Sequence, residues 1–405
     1  MDVRLAGTGG SGGWPQPDCR CASCERARSA GRRRAPTQLV VGGVLRIDPG
    51  QRSGAGPAAP GYQVERVPGG WAVSAPDGSR LLVGGLGRDQ HRAGTAPGAG
   101  LASCGTAPHV EPYDIALLDL LEDPAQLGAL RRQGLVRATT TVALLHADHR
   151  VASAEELARL AGYWGVVVPE DGDVLTSVPG AATAAAPAGA DTGTTATATA
   201  PASTRAGSDE PPRRVLVLGG ARSGKSRHAE LRLAAEPEVT YLAAGPYPAG
   251  GVPADPDWAG RVAAHQARRP PWWQTVESPE AAATLRSASG AVLFDGAGTW
   301  LAAVMDESGA WDADADAGNS GPGERSRLAL AQALVGAKVD ELIEAWRRTQ
   351  ARVVAVSDEV GSSVHPPTRA GRLFRDQLGW LNQRLAAESE ETVLMVAGRA
   401  LTLPG

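Results

Sequence analysis

The stretch Val217-Leu218-Gly219-Gly220-Ala221-Arg222-Ser223-Gly224-Lys225-Ser226-Arg227-His228-Ala229-Glu230 decides how the C-terminal half of this chain is read. The apolar run Arg214–Leu218 ends in glycines, and Gly219 to Ser226 then fits G-x-x-x-x-G-K-[ST] at every fixed position. Ser226–Ala235 carries the apolar spacing of a helix, so the motif sits between a strand and a helix, as its chemistry requires. Glycines let the main chain wrap closely around phosphate oxygens, and the loop and helix N–H groups point at the anion. In such a loop Lys225 places a point charge near the β- and γ-phosphates, and Ser226 offers its hydroxyl to Mg2+. The competing reading is an ordinary glycine-rich turn. Background composition speaks against it: Lys225 and Lys338 are the only lysines among 40 basic residues.

Outward from the loop, strand and helix alternate. Val239–Ala243 reads as a strand, Trp258–Arg268 as a helix ending in a basic run, and Ala291–Phe294 as a strand ending in Asp295. Arg325–Thr349 is a long amphipathic helix, Arg352–Val356 a strand, Leu373–Glu388 a helix and Glu391–Val396 a last strand. The alternation implies an α/β fold of the P-loop NTPase kind, with a mainly parallel sheet flanked by helices. An acidic metal partner is expected at a neighbouring strand end, where Asp295 stands; a turn with Gly296 is its alternative role. Asp306–Glu324, acidic and rich in glycine, reads as a solvated loop.

Residues 178–212 are Ala, Thr, Pro, Gly and Ser with scattered charge, a composition that cannot bury enough apolar surface to offset its ordering entropy. They are expected to form a flexible linker between an N-terminal domain over 1–177 and a C-terminal domain over 213–405. The chain has 405 residues, 42% of them hydrophobic, which suffices for packed cores. Its net charge of −4 argues against a nucleic-acid partner. No apolar run approaches the roughly 18 residues of a membrane span. The first residues lack an apolar signal core, so a cytoplasmic location is expected. The N-terminal part is β-rich: Gln38–Ile47, Trp71–Val73 and Arg80–Val83 are short apolar runs between turns. Ile115–Leu121 is a buried strand or short helix, Thr141–Leu145 a strand ending in His146, and Ala154–Ala161 helical. Cys19, Cys21 and Cys24 are too close for a disulfide framework and read as metal chemistry in a reducing compartment.

Together with Tyr241-Leu-Ala, Arg261-Val-Ala-Ala-His265, Arg269-Pro270, Trp273-Gln-Thr-Val-Glu277, Glu359-Val360-Gly361, Phe374-Arg375-Asp376 and Asn382-Gln383-Arg384-Leu385-Ala386, the loop resembles the bifunctional adenosylcobinamide kinase/adenosylcobinamide-phosphate guanylyltransferases of cobalamin biosynthesis. The resemblance spans nearly all of Arg213 to Gly405. It implies two reactions. A γ-phosphoryl group passes from an NTP, ATP or GTP, to adenosylcobinamide. A histidine then attacks the α-phosphorus of GTP, and the GMP so held passes to adenosylcobinamide phosphate to give adenosylcobinamide-GDP. His265 stands at the nucleophile position. A neutral imidazole has a free lone pair, and covalent catalysis divides one hard displacement into two easier ones. On residue type alone, His265 could equally be a solvent-facing helix histidine.

The resemblance also assigns the nucleotide site: Gly219, Gly220, Ala221, Arg222, Ser223, Gly224, Lys225 and Ser226 in the loop, Ala243, Ala244 and Gly245 after the second strand, Gln266, Ala267, Arg268 and Arg269 beside the histidine, and Glu277 and Asp295 at strand ends. A carboxylate at 277 can accept paired hydrogen bonds from guanine N1–H and its 2-amino group. Mg2+ with ATP or GTP is the implied cofactor, through Ser226 and Asp295, and a homo-oligomer is implied. The chain departs from the family pattern after Asp295 (Gly-Ala-Gly-Thr-Trp) and at Asp358, where asparagine is more usual. If such departures have removed the chemistry, the alternative is a nucleotide-binding scaffold or regulatory protein.

At the N-terminus, Gly7-Thr-Gly-Gly and Cys19-Arg-Cys21-Ala-Ser-Cys24 resemble the start of metallo-β-lactamase-fold phosphodiesterases, some of which hold a structural Zn2+ in such a cysteine cluster. Three thiolates supply three corners of a tetrahedron, and the fourth ligand would be a histidine or Cys104. The catalytic motif of that fold, H-x-H-x-D-H, is nearest matched by Leu144-Leu145-His146-Ala147-Asp148-His149, whose first histidine is replaced. A degenerate metallo-β-lactamase-like domain without a binuclear hydrolytic site is expected.

Overall fold

The computed structural model of the chain describes residues 1–49, 59–84, 111–177, 211–244, 260, 263, 265–311, 322–362 and 365–404. They fall into two compact units, Met1–Pro211 and Pro212–Gly405. Nearly all of the expected linker, Cys104 and Gly245 lie outside the described residues.

In the first unit, β1 (Asp2–Gly7), β2 (Gln38–Val41), β3 (Leu45–Ile47) and a later strand, β9 (Val174–Thr176), form an antiparallel sheet in the order β3-β2-β1-β9. The run 38–47 is thus a hairpin, because Gly42 and Gly43 turn the chain with positive φ. A second sheet holds β4 (Gln63–Val67), β5 (Gly70–Ser74), β6 (Arg80–Gly84), β7 (Ile115–Leu118) and β8 (Thr141–Leu144) in sequence order, antiparallel from β4 to β6 and parallel from β6 to β8. Residues 115–118 are therefore strand rather than helix. The alternation of each strand sends Val3, Leu5, Leu39 and Val41 from one sheet and Leu81, Val83, Ile115 and Leu117 from the other into one shared core. Ala116 and Leu118, on the opposite face of β7, are buried as well. Helices α1 (Ala22–Ser29), α2 (Ala125–Arg132) and α3 (Ala154–Trp164) complete the unit. Ser153 caps α3 by accepting from the Glu156 N–H, and Gly165 ends it in the left-handed region.

The second unit is a sheet in the order β12-β11-β13-β14-β10-β15-β16. Its strands are β10 (Arg214–Gly219), β11 (Val239–Ala243), β12 (Gln274–Glu277), β13 (Ala291–Asp295), β14 (Val353–Asp358), β15 (Glu391–Val396) and β16 (Arg399–Leu403). All pairings are parallel except β15 with β16, which closes one edge antiparallel through a tight turn. The helices are α4 (Lys225–Leu233), α5 (Ala281–Ser287), α6 (Ala297–Glu307), α7 (Pro322–Arg348) and α8 (Arg369–Ala387), and residues 265–268 are helical too. One core lies under α5 to α8, around Phe294, Trp300, Leu342 and Trp346; the other lies under α4, around Val217, Leu233 and Leu293. Helices thus cover both faces, as the continuous apolar strands require.

The expected loop over 306–324 is corrected at both ends. Helix α6 runs on to Glu307, since Ala297, Trp300, Leu301, Val304 and Met305 form one buried stripe, and α7 begins at Pro322, a residue suited to a helix start. Trp346 is completely buried in the α7 core, and Trp346→Ala should destabilise this unit by about 3–5 kcal/mol, read from its denaturant midpoint.

Candidate functional site

The loop leaves the C-terminal end of β10, a strand flanked by β14 and β15, and enters α4 at Lys225. Two positions explain its glycines. A Cβ at Gly219 would lie 2.5 Å from Ser223 Oγ and 2.8 Å from the Met395 carbonyl oxygen, so only glycine lets the chain curl this tightly. Gly224 has φ +95°, which an L side chain rarely adopts. Arg222 also has positive φ, at 57°. The curl of the loop is therefore written into its main chain at Gly219, Arg222 and Gly224.

Lys225 Nζ lies 2.7 Å from Asp358 Oδ1 and donates to the Gly220 carbonyl at 3.2 Å. Asp358 ends β14, directly beside β10. One strand further out, Asp295 ends β13; Ser226 Oγ donates to its Oδ1 at 3.3 Å and Tyr241 Oη to its Oδ2 at 2.5 Å. Tyr241 stands on β11, and the Arg269 guanidinium stacks 3.1 Å from the centre of its ring. Burial and the neighbouring Asp295 carboxylate push the Tyr241 phenol up, so it remains a donor. Ala243 pairs with Glu277 on one side and with Asp295 on the other, which sets both acids in one row across the strand ends.

His265 joins this group. Its Nδ1 lies 3.5 Å from Asp295 Oδ2 and 3.4 Å from Glu230 Oε1, a residue of α4. Asp295 and Glu230 together push the imidazole up to about 9. Burial raises Asp295 and Glu230, but His265 with Tyr241 in the first case, and His265 with Arg268 in the second, hold both below their ordinary values. The guanidinium of Arg268 is paired with Glu230, through Nε to Oε2 at 2.9 Å and Nη2 to Oε1 at 3.0 Å. Gln266 and Ala267 are exposed beside His265. The loop, His265, Arg268, Arg269 and Asp295 are thus brought together. Glu277 and Ala243 stand at the outer end of the same row, and Ala244 follows, buried. Reading the sequence missed Glu230 and Tyr241 as site members; a glutamate inside the apolar spacing of α4 was the available signal for the first.

Ser226 and Asp295 present a hydroxyl and a carboxylate, hard oxygen donors suited to Mg2+, at the mouth of the phosphate loop. The second unit is similar to known proteins. A model of the family described as cobinamide kinase / cobinamide phosphate guanyltransferase matches residues 215–403. The bifunctional adenosylcobalamin biosynthesis protein CobU of Escherichia coli (strain K12) is 36% identical over 188 residues, which are 45% of this chain and 96% of that protein.

The chain belongs to the cobinamide kinase / cobinamide phosphate guanyltransferase family.

Two more members of the kinase/guanyltransferase family are similar. CobU of Salmonella typhimurium (strain LT2) is 35% identical over 188 residues, 45% of this chain and 96% of that protein. CobP of Pseudomonas aeruginosa (strain PAO1), also named a bifunctional adenosylcobalamin biosynthesis protein, is 38% identical over 200 residues, 47% of this chain and 98% of that protein. Membership in the kinase/guanyltransferase family therefore rests on the second unit. Among solved structures, Zn(2+)-bound PqqB from Methylobacterium extorquens is similar at 16% identity and a TM-score of 0.25, covering 44% of this chain and 100% of that one, too low a score to assign a fold.

The first unit holds a second cluster. Cys19, Cys21, Cys24 and His149 bring one ligand atom each to within 4.8 Å of one another. His149 Nδ1 lies 3.5 Å from Cys19 Sγ and 3.8 Å from Cys24 Sγ. Cys21 caps α1, and the Cys24 N–H that donates to its sulfur lowers its thiol, while burial raises the Cys24 thiol to about 11. Of the residues weighed as a fourth partner, His149 lies beside the three sulfurs, from a turn 125 residues beyond Cys24, while Cys104 lies outside the described residues. Beside it, the Arg150 guanidinium pairs with Asp119, Asp148 and Glu122.

Proposed function

We propose that this chain carries out both reactions for which its relatives are named: phosphorylation of adenosylcobinamide by an NTP, and transfer of GMP from GTP to adenosylcobinamide phosphate. The observation that carries the reading is His265 lying beside Asp295, an acid that also touches Ser226 of the phosphate loop. Loop and imidazole so face one nucleotide. In the first reaction the loop N–H groups and Lys225 hold the β- and γ-phosphates while the corrinoid hydroxyl attacks the γ-phosphorus, so catalysis is positioning and charge stabilisation. Mg2+, when held by Ser226 and Asp295, neutralises charge on the phosphate oxygens. In the second, His265 gives its ring lone pair to the α-phosphorus. A P–N bond forms, the α–β P–O bond breaks, and pyrophosphate leaves with that electron pair. An oxygen of the corrinoid phosphate then attacks the same phosphorus, and the imidazole leaves. Attack needs the neutral ring, so the proton that the two carboxylates favour must be released at the attacking nitrogen. Glu277 supports guanine selection from the outer strand end. The test is GTP labelled at the α-phosphate. The chain should acquire one acid-labile, base-stable label that maps to His265; nucleotide binding with no label would leave only a nucleotide binder.

The first unit fits a degenerate metallo-β-lactamase-like domain. Two stacked sheets, Leu144 in place of a histidine, and a guanidinium between Asp119 and Asp148 where that fold gathers acids for metal all support this. Its cysteine cluster fits zinc: Zn–S bonds of about 2.3 Å give a tetrahedron with edges of about 3.8 Å, close to the sulfur–nitrogen spacings present. Structural zinc contributes roughly 10–16 kcal/mol in small peptides, comparable with the whole stability of a domain. The full chain should hold one zinc, lose it in Cys24→Ser, and show a lowered first unfolding transition after chelation. Metal analysis and calorimetry read both.

A further inference from the structure

We infer that Glu230 is a positioning residue for guanylyl transfer: it holds Nδ1 of His265, so that Nε2 is the atom that attacks phosphorus. The inference rests on the transferase reading above and adds which nitrogen reacts and what selects it.

Three observations carry it. Glu230 is 9% exposed, an unusual place for a charge on a nine-residue helix, and charged groups are so buried only when paired. Its partners are His265 and Arg268, three residues apart on one helical turn and so on one face. Arg268 grips both oxygens of Glu230 in the two-point manner of a guanidinium, which fixes the plane of the carboxylate. Oε1 is then left facing the imidazole at 3.4 Å. Asp295 is the other acid near Nδ1, at 3.5 Å, but its oxygens are shared with Tyr241 and with Ser226 of the loop, whereas the donor on Glu230 belongs to the same helical turn as His265. Glu230 makes no such contact with the loop. Nδ1 is buried and makes no hydrogen bond as the ring stands, and Glu230 Oε1 at 3.4 Å is the acceptor nearest to it. Once its N–H is directed into that fixed carboxylate, an imidazole keeps its lone pair on Nε2 and cannot swivel the ring to offer Nδ1 instead.

The test uses the full chain, GTP labelled at the α-phosphate, and histidine labelled with 15N, so that phosphorus–nitrogen couplings identify the linked nitrogen. Wild type should carry GMP on Nε2 alone. Glu230→Gln should form the adduct about 10–100-fold more slowly, the range set by loss of a carboxylate that orients a histidine, and should distribute GMP over both nitrogens. A wild-type rate, or a slower rate with the linkage still wholly on Nε2, overturns the inference, since the second outcome is what a merely structural role gives. If Glu230→Gln no longer retains GTP in equilibrium dialysis, Glu230→Asp decides. One methylene shorter, it should label several-fold more slowly and leak onto Nδ1, and unchanged rate and linkage overturn the inference there too. Wild type that takes up no label is a different failure, of the transferase reading itself.

Discussion

His265→Ala should take up no label from α-labelled GTP and should form no adenosylcobinamide-GDP, while the kinase step continues. On the proposed mechanism the loss is complete, because a ring nitrogen of His265 forms the bond to phosphorus and none of the groups described as facing it offers another nitrogen lone pair. Glu230 and Asp295 are anions facing its ring, and Arg268 and Arg269 are cations engaged by Glu230 and by the Tyr241 ring. Phosphoryl transfer from the γ-position needs the loop, Lys225 and the strand-end acids, none of which hangs on the imidazole for its position: Lys225 is fixed by Asp358 and Gly220, and Asp295 by Tyr241 and Ser226. The measurement is paired, with label incorporation beside formation of the phosphorylated corrinoid. Loss of both together would mean that His265 supports the loop rather than reacting.

Lys225→Ala should cost both reactions at least about 10²–10³-fold, the loss typical when one preorganised donor to developing charge is removed. Here a second effect adds to the first. Without the ammonium, the Asp358 carboxylate faces the phosphate loop uncompensated and repels the anion the loop must hold. The variant Lys225→Ala/Asp358→Asn should therefore be faster than Lys225→Ala alone, although it has lost two charged groups instead of one. Steady-state rates of both products for the four members of this cycle measure the coupling. Equal rates in the single and double variants would mean that the ion pair has no bearing on the occupied site.

The parts of this architecture that depend on short-range pattern were open to reading. The strands β11 and β15 and the loop between β10 and α4 declare themselves through continuous apolar runs ending in glycine or an acid, and the buried centre of a parallel sheet makes such runs. The edge strands β12 and β16 did not, because they are mostly exposed and their composition is that of loops. Helix α6 does not declare itself, because Gly296 and Gly298 are poor helix formers at its start, yet Gly296 is the turn and the apolar stripe begins at Ala297. Within the site, His265 was legible only through family resemblance, since one histidine beside a basic run says little by itself. Glu230 stood in the quoted stretch with no role: its place within the apolar spacing of α4 signals burial, but its partners His265 and Arg268 come from a segment more than thirty residues away. His149 could not be singled out as the partner of the cysteines, because it is fold topology that brings those segments together.

Helix α4 carries Lys225 and Ser226 in its first turn and Glu230 little more than one turn later. A single rod so joins the loop proposed to grip a triphosphate to the carboxylate proposed to anchor the nucleophile. Any change in the sequence that rotates, shortens or tilts this rod displaces both ends at once. The two activities are thereby linked through the path of this helix, while side-chain changes that leave the rod in place, at Glu230 or at Glu277 on the outer strand, adjust the guanylyl step separately.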